Sequence, residues 1–151
     1  MKTTSVVLAF LFAAGLSAAP SYADSVGLPK ETQGLKAPAP VGDHTLVTLT
    51  GPGKVVAAEV TKQGGNGSDM TFVALEIDGQ SVVNTSIAGL SNTGLTQSNT
   101  YGTVLLKPSA NMRTVTIGYP VPLTYAKSLK LWVKVSEPNV VQIIGRVIHG
   151  Q

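Results

Sequence analysis

Apolar and polar residues alternate in short runs along most of this chain. From His44 onward, runs rich in Val, Ile, Leu and Thr are separated by clusters of Gly, Pro, Asn and Ser, and none of them repeats its apolar residues with the spacing of a helix. In the clearest run every second residue is apolar, at Leu129, Leu131, Val133 and Val135. Successive side chains of a strand point to opposite faces, so this run places one apolar face against a core. The pattern predicts a domain built almost entirely of β-strands.

The runs predict eight strands, at residues 45–50, 54–62, 70–77, 80–86, 103–107, 112–117, 129–136 and 140–148. Asp78 and Gly79 separate two of these runs, and both residue types tolerate the positive φ that a type I′ hairpin turn requires. Short antiparallel strands in one small domain favour a β-sandwich. Their irregular spacing, with one long crossing loop, favours a jelly roll over an immunoglobulin-like arrangement. The predicted fold class is therefore all-β: an antiparallel β-sandwich, jelly-roll-like, with about eight strands.

Several of these features together are similar to the small jelly-roll modules of phage tails and surface lectins. They are the strands punctuated by glycine, the Asp78-Gly79 hairpin, the run at residues 101–106 and the closing run at 129–133. The resemblance is at the level of the fold. It implies no active site, because one fold carries many unrelated functions.

The first 23 residues have the organisation of a cleavable signal peptide. A cationic start at Lys2 is followed by an apolar stretch at residues 6–16 and by Ser21 and Ala23, small residues at the two positions that signal peptidase reads. A membrane anchor is the alternative, but a span needs about 20 apolar residues, and this run breaks at Pro20. We expect cleavage after Ala23 and secretion to the periplasm, the medium or the cell surface, with no membrane span in the mature chain.

Residues 24–42 differ in composition from the rest of the mature chain. They contain Pro29, Pro38, Pro40 and three glycines, with few bulky apolar residues. This composition predicts a flexible Pro/Gly-rich arm, either extended or disordered. Residues 43–151 then form the β-sandwich domain, which has room for a single core.

Composition narrows the chemistry that this domain can carry. The chain contains no cysteine, which excludes disulfides, cysteine nucleophiles and thiolate metal sites. It has 11 Lys and Arg residues and 8 Asp and Glu residues, evenly scattered, so charge alone predicts no nucleic-acid partner.

Catalytic and metal-binding patterns are weak. His44 and His149 lie far apart in the sequence and outside any metal-ligand spacing, so both are expected to be solvated or edge residues. Glu76 and Asp78 would share one strand face, as a glycosidase or calcium site requires, but a turn explains Asp78 and an outward strand position explains Glu76. The glycine-rich loop at residues 64–69 lacks the full phosphate-loop and calcium-loop patterns and is better explained as a flexible connection. We predict no catalytic residue, no metal and no cofactor.

Two surface features suggest binding. Lys130, Trp132 and Lys134 point away from the core, and a tryptophan between cations can stack on a sugar ring or anchor a protein contact. Alternatively, the lysine stems fold over the indole. Residues 87–101 form a long polar segment in which Asn92 and Asn99 offer amides to a neutral ligand, or which simply crosses the surface. Tyr119, beside two prolines, is a candidate stacking ring.

Three classes of function are compatible with these patterns. A secreted, non-catalytic binding module, for carbohydrate or another surface polymer, explains the tryptophan and the polar segment. A structural or assembly protein explains the low charge and the arm, which can pair with the sheet edge of a neighbouring copy in a homo-oligomer or filament. An enzyme is the weakest of the three, because few acidic residues and two distant histidines leave little to build from.

Overall fold

The computed structural model describes residues 28–100 and 102–150, so the predicted leader at residues 1–23 lies outside the described residues. The described chain forms nine strands and one short helix. They are β1 (Lys30–Lys36), β2 (Gly42–Thr50), β3 (Gly53–Gly64), β4 (Thr71–Ile77), β5 (Gln80–Ser86), α1 (Ile87–Asn92), β6 (Thr103–Ser109), β7 (Met112–Tyr125), β8 (Ser128–Val135) and β9 (Val140–Gly150). Within these residues no helix is long and apolar enough to cross a membrane.

The strands form two antiparallel sheets packed face to face. One sheet has the order β1-β9-β3-β7-β6 and the other the order β2-β8-β4-β5. Only the β4–β5 and β6–β7 connections are hairpins, and every other connection between consecutive strands crosses from one sheet to the other. The predicted all-β sandwich is confirmed. Repeated crossing of the chain between two packed sheets is typical of jelly-roll folds.

The core between the sheets follows the alternation of the sequence. Every second residue of β8 is fully buried, namely Leu129, Leu131, Val133 and Val135. Val115 and Ile117 of β7 face them from the other sheet and are equally buried. The hairpin at Asp78 and Gly79 also matches the prediction, because both residues have positive φ, 52° and 82°.

The predicted flexible arm is wrong for residues 30–36, which form β1 at the edge of the five-stranded sheet. β1 pairs with β9 along its whole length, and Gly34, near the middle of β1, lies opposite Gly145. A Cβ atom on Gly34 would come within 1.7 Å of the Leu46 carbonyl oxygen of β2. Two facing glycines therefore let the edge strand pack directly against the backbone of the other sheet. The sequence of this segment does not indicate a strand, because glycine weakens strands and lysine is uncommon in them.

The predicted long loop at residues 87–101 also differs, since its first part is the helix α1. Ser86 is the N-cap, and its Oγ accepts a hydrogen bond from the Gly89 amide at 2.9 Å. Ile87 and Leu90, three residues apart on one helix face, are both buried. The segment is consequently anchored in the core at its start, and only its second part runs over the surface.

Candidate functional site

A cleft with a volume of about 500 Å³ lies on the outer face of the five-stranded sheet. This volume is in the range of small-molecule sites. Five strands and the segment that follows α1 line it. The lining residues are Glu31, Ala57, Ala58, Glu59, Ser98, Asn99, Gly102, Val104, Thr116, Ile117, Gly118, Arg146 and Ile148.

Outward positions of three neighbouring strands form the floor of the cleft in two rows. In the first row Ala57 of β3 lies between Gly118 of β7 and Ile148 of β9. In the second row Glu59 takes the place of Ala57, between Thr116 and Arg146. The register thus places a strip of apolar residues and glycine directly beside a strip of charged and hydroxyl groups.

Ion pairs run along the polar strip. Arg146 Nη1 lies 3.5 Å from Glu59 Oε1, and Arg146 Nε lies 3.9 Å from Glu31 Oε1. All three side chains are between one-third and 56% exposed. Neither contact is a short hydrogen bond. The guanidinium and the two carboxylates can therefore form hydrogen bonds with a polar ligand in place of their present contacts.

The polar segment after α1 forms one wall of the cleft. The Asn99 side-chain amide donates to the Thr103 carbonyl oxygen at 2.9 Å and to the Gln97 carbonyl oxygen at 3.0 Å, which fixes the segment against the start of β6. Gly102, with φ of 69°, closes the wall, because a Cβ there would come within 2.0 Å of the Gly118 carbonyl oxygen. Asn99 is therefore a cleft residue as well as a structural one.

Trp132 lies on the opposite side of the molecule, on the outer face of the four-stranded sheet. Its Nε1 donates a hydrogen bond of 2.6 Å to Glu76 Oε1, and Lys130 Nζ lies 5.3 Å from the centre of the ring. Ala74, directly across from Trp132 on β4, is only 1% exposed although it is on an outer face. The indole is therefore half-buried, with its N–H bound to Glu76 and the Lys130 ammonium near its ring.

The remaining predicted residues are dispersed. Lys134 is exposed on β8, two residues beyond Trp132, and Asn92 is exposed at the end of α1. Tyr119 is half-buried and packs against the core, where burial raises the pKa of its phenol. It belongs to a stretch of β7 that bulges out between the positions paired with Val55 and Ala57 of β3. The six predicted residues therefore do not form one site, and only Asn99 lines the cleft.

Each residue of the weak catalytic patterns has a structural partner. Glu76 binds the indole, and Asp78 accepts hydrogen bonds from the Ala126, Lys127 and Ser128 amides at 2.7–2.9 Å. These backbone hydrogen bonds hold the pKa of Asp78 below its ordinary value. His44 Nε2 lies 2.6 Å from the Pro40 carbonyl oxygen.

The expectation that His149 is a solvated or edge residue is wrong. It is 3% exposed, and its Nε2 is 2.9 Å from Thr32 Oγ1 of β1. Burial, reinforced by the Lys30 ammonium, lowers the pKa of its imidazole. β1 pairs beside β9 in the same sheet and brings Thr32 next to His149, and β1 was the one strand missing from the predicted set.

A buried ionic cluster at one end of the core is the feature that sequence reasoning missed. Lys62 Nζ lies 2.9 Å from Asp69 Oδ1 and 2.6 Å from Glu137 Oε1, and Arg113 Nε lies 2.8 Å from Asp69 Oδ2. Thr71 Oγ1 also donates to Glu137 Oε1, at 2.8 Å. Burial opposes ionisation of Asp69, but the hydrogen bonds from Arg113 and Lys62 outweigh it and lower the pKa of that carboxyl. In the sequence, the only indication of this cluster is Lys62, a charged residue at an inward-facing position of β3.

The described residues contain no group of three or more His, Asp or Glu side chains arranged to hold a metal ion. In the glycine-rich loop, Asp69 turns inward to the ionic cluster, and Asn66 Oδ1 accepts hydrogen bonds from the Ser68 amide and hydroxyl. The loop oxygens considered for calcium therefore serve local structure.

No protein-family model matches the chain, and no curated protein sequence is similar to it. Functional conclusions therefore come from the chemistry and geometry of the cleft.

Proposed function

We propose that this protein is a secreted, non-catalytic binding module and that the cleft on the five-stranded sheet binds a neutral carbohydrate. The observation that carries the proposal is the cleft itself, with its volume of about 500 Å³ and its paired apolar and polar strips. Concave sites that combine apolar walls with a few convergent polar groups are typical of ligand binding.

The two strips match the two kinds of surface on a sugar ring. The strip of Ala57, Gly118 and Ile148 presents a flat apolar surface that suits the C–H face of a pyranose. Beside it, Glu59 and Arg146 supply acceptors and donors for hydroxyl groups, which are both donors and acceptors. Planar carboxylate and guanidinium groups can each engage two neighbouring hydroxyls, which gives orientation as well as affinity.

Charge restricts the ligand further. Glu31 and Glu59 place two carboxylates around the single guanidinium of Arg146, so the strip carries an excess of negative charge. Phosphates, uronic acids and nucleic acids would be repelled. A neutral glycan satisfies the hydroxyl-binding groups without this repulsion.

Binding is tested with residues 24–151, first on an array of neutral and acidic glycans and then by calorimetry with the neutral oligosaccharide that gives the strongest signal. We expect neutral glycans to bind and acidic ones not to bind. A Gly118→Leu variant should abolish binding, because a Cβ at Gly118 meets no atom within 4 Å and the side chain would extend into the open cleft. Glu59→Gln should weaken binding without unfolding the protein.

Trp132→Ala is the matched control, since Trp132 lies on the other sheet. Loss of binding in Gly118→Leu with retention in Trp132→Ala supports the cleft. The reverse result moves the binding site to the tryptophan face, and the absence of binding to every neutral glycan contradicts the proposal.

Assembly is a second candidate, favoured by the surface around β1. β1 is the end strand of its sheet, and Leu28, Leu35 and Val41, within or close to it, are 83%, 59% and 66% exposed. Edge strands with exposed apolar residues are sites of pairing between chains. Light scattering of residues 24–151 beside a form lacking residues 24–42 tests this candidate, which predicts an oligomer that dissociates on deletion. A monomer at every concentration contradicts it.

A further inference from the structure

The buried ionic cluster holds an amine and a carboxyl group in the arrangement that precedes a covalent bond. The side chains of Lys62 and Glu137 are 1% and 0% exposed, and their nitrogen and oxygen atoms lie 2.6 Å apart. Residues 62 and 137 come from β3 and from the connection between β8 and β9, so they are distant in sequence and fixed by the fold. Reacting groups held in this way behave as if present at about 10⁵–10⁸ M.

The hydrogen bonds of the cluster are incomplete as they stand. Glu137 Oε1 receives hydrogen bonds from Lys62 and Thr71, whereas Glu137 Oε2 is buried and has no hydrogen-bond partner among the described residues. Gly65 lies directly against this oxygen, since a Cβ there would come within 2.5 Å of it. A buried polar atom without a partner is costly.

We propose that Lys62 and Glu137 condense to an intramolecular isopeptide bond. In the product every polar group would keep a partner. The amide N–H of Lys62 would donate to Asp69 Oδ1, and the amide oxygen would accept from Thr71 Oγ1, through contacts that already exist. The unpartnered oxygen is the atom that leaves. The reaction also removes one buried charge of each sign from the core, which lowers the cost of desolvation.

The steps balance without an added reagent. The Lys62 ammonium gives one proton to the Glu137 carboxylate, which yields a neutral amine and a neutral acid in the low-dielectric core. The amine nitrogen attacks Cδ of Glu137, and the Asp69 carboxylate takes the proton that the nitrogen releases. Asp69 returns this proton to the departing hydroxyl, the C–O bond breaks, and one water molecule leaves as the Nζ–Cδ bond is completed. Asp69 ends as the carboxylate that it was at the start.

Arg113 determines which carboxyl group, that of Asp69 or that of Glu137, is attacked by the Lys62 amine. Its guanidinium binds Asp69 Oδ2 at 2.8 Å and helps to keep Asp69 ionised, which suits a base and hinders attack on its carbon. Glu137 has no such cation besides Lys62 itself within the described cluster. An amide at Asp69 would also deprive Arg113 of its ionic partner and leave Glu137 buried and charged.

Mass spectrometry of the folded wild-type protein tests the proposal directly. The intact chain should be lighter than its sequence by the mass of one water. Trypsin does not cut after an acylated lysine or before proline, so digestion should yield residues 55–113 joined to residues 135–146, again one water lighter than their sum. Full recovery of free peptides 55–62 and 135–146, with an unchanged intact mass, would overturn the proposal. A water-deficient peptide 55–113 without residues 135–146 would place the bond at Asp69 and also overturn it.

Variants separate the roles of the three residues. Lys62→Arg removes the nucleophile and should restore the full sequence mass, whereas Lys127→Arg, at an exposed lysine, should leave the mass deficit intact. Asp69→Asn removes the base and should slow or stop the condensation. Glu137→Gln should still react by losing ammonia, so its linked product and that of the wild type should have identical masses although the unlinked chains differ. An unlinked Glu137→Gln variant beside a linked wild type would contradict attack at this side chain.

Discussion

The packing of β1 against β2 gives a sharp test of how the edge strand is held. In Gly34→Ala the new Cβ would lie 1.7 Å from the Leu46 carbonyl oxygen, so β1 must move by at least about 1.3 Å to reach an acceptable contact. β9 cannot follow, because Gly145 already packs against the Leu46 side chain and β9 is paired with β3 on its other side. A shift of this size breaks hydrogen bonds between β1 and β9. Overpacking of this kind costs about 1–3 kcal/mol.

Urea unfolding and amide hydrogen exchange measure the two consequences of Gly34→Ala separately. We expect a lower unfolding midpoint and loss of exchange protection in residues 30–36, with protection of β8 unchanged. Gly118→Ala is the control, because a Cβ there meets nothing within 4 Å and alanine suits a strand better than glycine. A Gly34→Ala protein with wild-type stability and a protected β1 would refute the reasoning.

Three further changes probe single contacts. Trp132→Phe removes the indole hydrogen bond to Glu76 and should lower the free energy of unfolding by about 1 kcal/mol in urea titrations, whereas Glu76→Gln keeps an acceptor and should cost less. Asp78→Ala removes three acceptor contacts and should speed amide exchange in the turn between β7 and β8, while unchanged exchange would show that the carboxylate is dispensable. The pKa of His149 lies below its ordinary value of 6.5, so the unfolded chain binds a proton more readily than the folded one. Stability should therefore be constant above pH 6.5 and fall as the pH drops below it, and His149→Gln should flatten this part of the urea-midpoint profile.

The parts of the fold that sequence could predict are those determined within a few residues. The alternation at Leu129, Leu131 and Val133 assigns the buried face of β8 without any knowledge of its partners, and all three are fully buried. The Asp78-Gly79 turn is equally local, because positive φ at two successive residues is a property of those residue types.

The parts that were missed depend on contacts between distant residues. β1 has little apolar character of its own and is a strand because Gly34 fits between Gly145 and the backbone of Leu46. The cleft is formed by outward-facing residues of several strands, and the sequence does not show the order of these strands in the sheet. That order places Glu59 beside Arg146, which is 87 residues away in the sequence. The same limit applies to the ionic cluster, in which Lys62 meets a carboxyl group 75 residues away.

β1 connects the proposed binding and assembly functions, because it carries Glu31, one of the residues that line the cleft. If β1 simply detaches, the cleft loses Glu31 and Arg146 loses one of its two ionic partners. If β1 is exchanged between copies, Glu31 of a second copy completes each cleft, so the mass doubles while the affinity of each site is preserved. Measuring glycan affinity and molecular mass on the same Gly34→Ala sample therefore separates the two cases. Weaker binding by a monomer indicates detachment, and unchanged binding by a dimer indicates exchange.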